Sequence, residues 1–147
     1  MDELAIEVKA PGEGKPDSLA ILFPEGTESA FSNGARELDG QLKGRLQRLA
    51  ESGELKGELG KAVVLHTDGD LNARRVVVAG VGKRDELDVD ALRTAASTVA
   101  HRVADVGGTL AWLLDESLPL SLEEQARAIV EGTMLGSYSP ARWKTEE

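Results

Sequence analysis

The sequence lacks cysteine altogether, and of its 147 residues only two are histidine and 3% are aromatic. Without cysteine the chain has no disulfide bonds, no zinc sites with thiolate ligands and no cysteine nucleophile. No apolar run approaches the roughly 20 residues of a membrane-spanning helix, and acids occupy the start, where a secretory signal carries basic residues. These absences, together with a length that suits one domain, predict a soluble cytoplasmic protein.

Positive charge is also scarce: the chain has 17 Lys and Arg and 26 Asp and Glu, which gives a net charge of −9. The excess acid is spread along the chain and forms no tail. Such a surface repels phosphate backbones and anionic lipid headgroups. The composition therefore predicts neither a nucleic acid nor a membrane surface as a partner.

Five segments have the pattern of β-strands. In residues 4–8 apolar and polar side chains alternate, which is typical of a strand with one buried face. The other four are apolar on both faces and fit strands that are covered on both sides. They comprise residues 19–23, 62–66, 75–80 and 109–114. The connection TDGDLNA between the third and fourth segments is too short for a helical crossover, so these two strands are predicted to be antiparallel neighbours.

The first helical segment follows a polar, glycine-flanked stretch at residues 25–34, which is predicted to be a loop. Apolar residues then recur at spacings of four, four and three, and these are Leu38, Leu42, Leu46 and Leu49. The spacing predicts one amphipathic helix that rests on the core and ends near Gly53.

Two further helices are predicted in the second half of the chain. One spans residues 87–108, with Asp88 as its N-cap. The other begins at Ser121, where Glu124 three residues later completes a capping box. Helices that alternate with doubly buried strands predict an α/β fold, a three-layer sandwich with a mixed β-sheet flanked by helices.

The string GVGKR, residues 80–84, lies between a strand and a helix, where phosphate-binding loops occur. A dinucleotide fingerprint needs a third glycine at the position of Asp85, and a P-loop needs Ser or Thr at the position of Arg84. The string therefore favours a tight turn at the strand exit, and a phosphate site is the weaker alternative.

The string DGDLN, residues 68–72, matches the first ligand positions of a calcium loop. The required glycine and the bidentate acid are replaced by Ala73 and Ala79, so a hairpin connection is favoured. His66 lies next to this string, and a metal cluster with Asp68 and Asp70 is the alternative to a solvated histidine. The residues assign no catalytic, cofactor-binding or metal-binding position.

Three strings of the sequence carry a family resemblance. They are LDGQLKGRLQRLAESGELKGELGKAVVLHT from Leu38, RRVVVAGVGKRDELDVDALRTAA from Arg74 and AIVEGTMLGSYSPARWKTEE from Ala128. In this order and spacing they resemble the amino-terminal domain of the leucine (cytosol) aminopeptidase family. The resemblance covers nearly the whole chain and implies a fold similar to macro domains.

The resemblance also implies what the chain does. The family's peptidase site holds two divalent metal ions around an Asn-Thr-Asp-Ala-Glu-Gly-Arg string in the carboxy-terminal domain, and no part of this sequence matches that string. Residues 1–139 would then be a non-catalytic assembly domain of a leucyl aminopeptidase-like metallopeptidase, and residues 140–147 would be a connector toward an absent catalytic domain. The expected partners are that catalytic domain and other subunits, because the family is hexameric.

Two alternatives to the assembly role follow from the same residues. A stand-alone macro-like module would bind ADP-ribose or a related nucleotide at the turn from Gly80 and the loop at residues 25–34. An independent enzyme would use a site around His66, Asp68 and Asp70. At the end of the last helix, Tyr138 and Trp143 are predicted either to cap the domain's own core or to form the junction with the catalytic domain.

Overall fold

The computed structural model describes residues 5–7, 17–25, 33–69, 71, 73–104 and 109–137. The strands in chain order are β1 (Ala5–Glu7), β2 (Ser18–Pro24), β3 (Ala62–His66), β4 (Arg75–Gly82) and β5 (Thr109–Leu113). The helices are α1 (Asn33–Gln41), α2 (Arg45–Glu51), α3 (Val89–Val103) and α4 (Leu122–Ser137). Within the described residues, no helix has both the length and the apolar character needed to cross a membrane.

The five strands form one sheet in the order β1-β5-β2-β4-β3. The pairs β1–β5, β5–β2 and β2–β4 are parallel, whereas β3 runs antiparallel to β4, with Val63 opposite Val78. The mixed sheet and the antiparallel pair are therefore confirmed. Parallel pairing places the carboxyl ends of β2 and β4 side by side, which is where ligands bind in many open α/β sheets.

Side chains on the two faces of the sheet enter two separate cores. On β2, Ala20 and Leu22 pack with α3 and α4, and Ile21 and Phe23 pack with α1 and α2. The same alternation continues on β4, so both central strands are buried on both faces. Two helical layers enclose the sheet, which confirms the three-layer α/β sandwich.

The prediction of one helix from residue 38 to Gly53 is wrong, because the chain breaks between α1 and α2. Lys43 and Gly44 adopt left-handed backbone angles, with φ of 59° and 78°. The Asp39 carboxylate accepts a hydrogen bond from the backbone N–H of Leu46 at 2.8 Å and satisfies the start of α2. Leu42 and Leu46, on the two sides of the break, both stay buried. The first helix also begins at Asn33, inside the segment predicted to be a loop.

The other helix starts match the sequence patterns. Asp88 caps α3 by accepting a hydrogen bond from the backbone N–H of Ala91 at 2.9 Å. At α4, the Ser121 hydroxyl accepts from the Glu124 N–H at 3.1 Å, and the Glu124 carboxylate accepts from the Ser121 N–H at 3.3 Å. The helix α3 ends at Val103, before the predicted stop at residues 107–108, which lie outside the described residues.

Candidate functional site

The end of β4 and the turn that follows it are the first place where the sequence suggested chemistry. Gly82 has a positive φ of 81°, as a tight strand-exit turn requires. Its N–H donates to the carbonyl of Gly57 at 2.9 Å, and its carbonyl accepts from the Glu25 N–H at 3.0 Å. Both backbone groups of Gly82 therefore bind the protein itself, so its N–H is not available to a phosphate.

The segment at residues 57–61 passes directly over the ends of β2 and β4. A Cβ added at Gly80 would overlap the carbonyl oxygen of Glu58, and one at Gly57 would lie 2.7 Å from the carbonyl oxygen of Phe23. Only glycine allows backbones to approach this closely. The position where a phosphate could meet the glycine backbone is filled by the chain's own backbone.

The basic residues of the same turn also have partners within the domain. Lys83 Nζ lies 3.9 Å from a carboxylate oxygen of Glu86. The Arg84 guanidinium donates to the carbonyl of Ser117 at 3.0 Å and is 3.3 Å from its hydroxyl. Arg84 thus joins the turn after β4 to the connection between β5 and α4. The structural use of this segment agrees with the prediction, but β4 continues to Gly82, so the turn begins later than the predicted strand exit at Gly80.

An acidic cavity of about 520 Å³ lies beside this turn, between the strand ends and the start of α3. Its ionisable lining consists of five carboxylates and Lys83; the carboxylates belong to Glu25, Glu58, Glu86, Asp88 and Asp90. Since like charges repel, this lining opposes a diphosphate group.

The connection from β5 to α4 is held by a buried glutamine that the sequence patterns did not single out. The Gln125 amide oxygen accepts from the Asp115 N–H at 3.0 Å, and its NH₂ donates to the carbonyls of Asp115 and Leu120 at 2.8 and 2.9 Å. The Asp115 carboxylate accepts from the N–H and hydroxyl of Ser117. The side chains of Gln125 and Asp115 therefore stabilise the loop between β5 and α4.

The hairpin between β3 and β4 contains the residues of the suggested metal cluster. Asp68 has a φ of 53° in the turn, and Asp70 lies outside the described residues. Arg45, at the start of α2, donates to the carbonyls of His66 and Thr67 at 2.8 and 3.1 Å and lies 3.7 Å from the Asp68 carboxylate. Within the described ranges, no three His, Cys, Asp or Glu side chains are grouped so that they could hold a metal ion.

The end of α4 packs closely on α3. A Cβ at Gly132 would overlap the carbonyl oxygen of Arg93, so the small residue is required by the approach of the two helices. The Arg93 guanidinium bridges Glu131 at 3.1 Å and Asp90 at 2.6 Å. Its hydrogen bonds to Glu131 and then to Asp90 raise the pKa of Arg93 above its ordinary value.

Beyond Gly132 the helix exposes two large apolar side chains. Met134 is 63% exposed and Leu135 is 66% exposed, whereas Thr133 beside them is fully buried. The predicted junction residues Tyr138 and Trp143 follow this point and lie outside the described residues.

The sequence model of a protein family, the amino-terminal domain of the cytosol aminopeptidase family, matches residues 21–147. The chain belongs to this family. The resemblance drawn from the three sequence strings is confirmed. Among curated relatives, a probable cytosol aminopeptidase of a Geobacter species is 37% identical over 113 residues, which are 76% of this chain and 22% of the relative. The chain thus spans about a quarter of the length of the aminopeptidases that it matches, in which the amino-terminal domain is joined to a catalytic domain.

Solved structures agree with the family's fold. A mutant of tomato leucine aminopeptidase superposes with a TM-score of 0.70 at 20% identity, covering 95% of this chain and 29% of the tomato chain. The macrodomain of DarG from Mycobacterium tuberculosis superposes with a TM-score of 0.68 at 9% identity, covering 92% of each chain. The macro-domain-like fold of this aminopeptidase-family domain is therefore confirmed.

Proposed function

We propose that this chain is the non-catalytic assembly domain of a cytoplasmic leucyl aminopeptidase-like enzyme. The observation that carries the proposal is the family match over residues 21–147. In the parent, a catalytic domain would follow this domain and remove amino-terminal residues from peptides, using water activated by two divalent metal ions. Residues 1–139 would form the assembly domain, residues 140–147 the connector, and the assembled enzyme would be a hexamer.

The use of polar groups near the strand ends supports this assignment. The Gly82 N–H, the Arg84 guanidinium and the Gln125 amide all bind groups of the domain itself. A catalytic or phosphate site instead needs polar groups that point toward a ligand. The described side chains include no group of three or more His, Cys, Asp or Glu that could hold a metal ion, and in the proposed parent the metal ions would be held by the catalytic domain.

An aminopeptidase assay tests the proposal directly. The purified chain should show no turnover of leucine p-nitroanilide with added Zn²⁺ or Mn²⁺. In a second experiment, a fusion is made in which this chain replaces the corresponding segment of the Geobacter relative. The fusion should be active, and light scattering should show that it is larger than a monomer. Turnover by the chain alone, or a fusion no more active or assembled than the catalytic portion by itself, would contradict the proposal.

Nucleotide binding is the second candidate, and the superposition on a macrodomain over 92% of both chains favours it. The Gly82 hydrogen bonds and the five carboxylates of the cavity oppose it. Isothermal titration with ADP-ribose distinguishes the two functions. We expect no heat at millimolar ligand, and saturable heat would establish the nucleotide module.

A further inference from the structure

The strand β3 forms an open edge of the sheet. It is the last strand in the order β1-β5-β2-β4-β3, and among the described residues it pairs with β4 alone. A strand at a sheet edge presents unpaired backbone N–H and C=O groups to which another strand can bind. The register of β3 with β4 is continuous from Ala62 to His66, so no bulge turns this edge away from a partner.

The hydrogen bonds to β4 determine which backbone groups of β3 face outward. The Lys61 carbonyl accepts from the Gly80 N–H at 2.9 Å, and the Thr67 N–H donates to the Arg74 carbonyl at 3.1 Å. Bonded and non-bonded residue pairs alternate along an antiparallel pair of strands. The odd-numbered residues of β3 therefore bond to β4, and the backbone groups of the even-numbered residues point away from it.

The outward groups belong to Ala62, Val64 and His66. Of these groups, only the His66 carbonyl has a hydrogen-bond partner in the described part of the chain, the Arg45 guanidinium at 2.8 Å. Residues 62–65 are half-buried, and none of them is proline or carries a charge. The strand thus lacks the side chains that commonly prevent pairing at an edge.

We propose that the β3 edge, defined as residues 62–66, pairs with the same edge of a second copy of this chain, antiparallel and across a two-fold axis. Overlap over the whole five-residue strand fixes the register, with Val64 opposite Val64 and Ala62 opposite His66. The outward N–H and C=O groups of the two copies then meet as hydrogen-bonded pairs. The two five-stranded sheets become one continuous sheet.

The edge favours a second copy over an unrelated peptide because its residues complement each other. In this register Val63 lies opposite Leu65 on the face toward α1 and α2, and Val64 meets its own copy on the face toward α3. Lys61 precedes the strand and Asp68 follows it, and both are exposed. Antiparallel pairing brings these opposite charges to the same end of the contact, which is favourable.

The contact is small, so a weak dimer is expected. A stable interface buries about 800 Å² on each side, and one pair of short strands supplies less. Association should therefore require protein concentrations on the order of 100 µM. The pairing involves no catalytic domain. It goes beyond the proposed function, which stands even if the pairing fails.

Sedimentation equilibrium of the chain tests the pairing. Between about 10 µM and about 1 mM protein, the average mass should rise from 15.6 kDa toward twice that value. The variant Val64→Pro removes an outward N–H and no bond to β4, and proline is tolerated at such positions of edge strands. It should raise the dimer dissociation constant at least about tenfold. Circular dichroism checks that this variant is folded.

A charge reversal gives a second test outside the strand. Lys61→Glu should raise the dissociation constant about twofold to fivefold, since the new carboxylate lies beside Asp68 of the second copy. The matched control Arg127→Glu makes the same change of charge on α4, where the side chain is 71% exposed. It should leave the dissociation constant nearly unchanged.

Amide exchange measured by NMR distinguishes this edge from any other dimer surface. The N–H groups of Ala62, Val64 and His66 should gain protection as the concentration rises, whereas those of Val63 and Leu65 should be protected at every concentration by β4. A chain that stays monomeric at about millimolar concentration, or a dimer that a folded Val64→Pro or Lys61→Glu variant retains unchanged, would overturn the proposal. Protection of the even-numbered amides in the monomer would also overturn it.

Discussion

The turn after β4 and the end of α4 differ in how their side chains and backbone are used. Residues 80–84, the end of β4 and the two residues after it, resemble a phosphate loop in sequence, yet Gly82 and Arg84 bind the domain itself. At the end of α4 the sequence is an ordinary amphipathic pattern, yet Met134 and Leu135 remain exposed. The comparison teaches that a glycine-rich string can serve internal packing.

The largest expected effect is at Gly80, beneath the segment at residues 57–61. The variant Gly80→Ala should lower the free energy of unfolding by about 3 kcal/mol, because the new methyl would overlap the backbone carbonyl of Glu58. Urea denaturation followed by circular dichroism measures the change.

Gly40 is the matched control, because an added Cβ there has no neighbour within 4 Å. Gly40→Ala, in α1, should raise the free energy of unfolding by about 0.5 to 1 kcal/mol. A Gly80→Ala protein as stable as the unmodified chain would mean that residues 57–61 do not lie over the strand ends. The turn could then still admit a ligand.

The next effect concerns Gln125, which supports the loop that Arg84 contacts. Gln125→Leu keeps the side-chain volume but leaves the backbone groups of Asp115 and Leu120 without these partners. The free energy of unfolding should fall by about 2 to 3 kcal/mol. The control Gln47→Leu loses an exposed bond to Glu51 and should change stability by less than about 0.5 kcal/mol. Equal effects in thermal melts would show that the loop is held by other contacts.

A smaller loss of stability is expected at Gly132 in α4, the second region of the comparison. Gly132→Ala should destabilise the fold by about 1 to 2 kcal/mol, since two helices can move apart more easily than a sheet and its covering backbone. The same Gly40→Ala control applies. Chemical denaturation measures the loss of stability. If Gly132→Ala lost more stability than Gly80→Ala, the close approach of α3 and α4 would matter more to the fold than the approach of residues 57–61 to β4.

The smallest effect is that of the ion pair between Arg93 and Glu131, near the end of α4. Glu131→Gln should lower the melting temperature only slightly at low salt, and the matched variant Glu123→Gln, whose pair with Arg127 is more exposed, should lower it less. High salt should remove the difference. Because the pKa of Arg93 is raised, its contribution is complete below the usual arginine pKa and is lost only above the raised value. Arg93 therefore stays charged across the neutral pH range, and titration of Arg93 should not change the stability effect of Glu131→Gln there.

Several elements were predictable because their determinants are local in the chain. The caps Asp88 and Ser121 depend on residues three positions apart, and the antiparallel β3–β4 pair depends on strands joined by a short connection. The doubly apolar strands and the three matching strings likewise predicted the sandwich and the family. Tyr138 and Trp143 stay a prediction, since both lie outside the described residues.

The sequence by itself determined the strand segments and the starts of α3 and α4, because periodicity and capping depend on neighbouring residues, and its three matching strings carried the resemblance to the aminopeptidase family. Only the tertiary structure decided the break at Lys43–Gly44, the approach of Gly57 to β2 and of Glu58 to Gly80, and the role of Gln125. It also decided which apolar residues of α4 stay exposed. These features depend on residues that are distant in sequence, and their free energies arise only when the layers pack together.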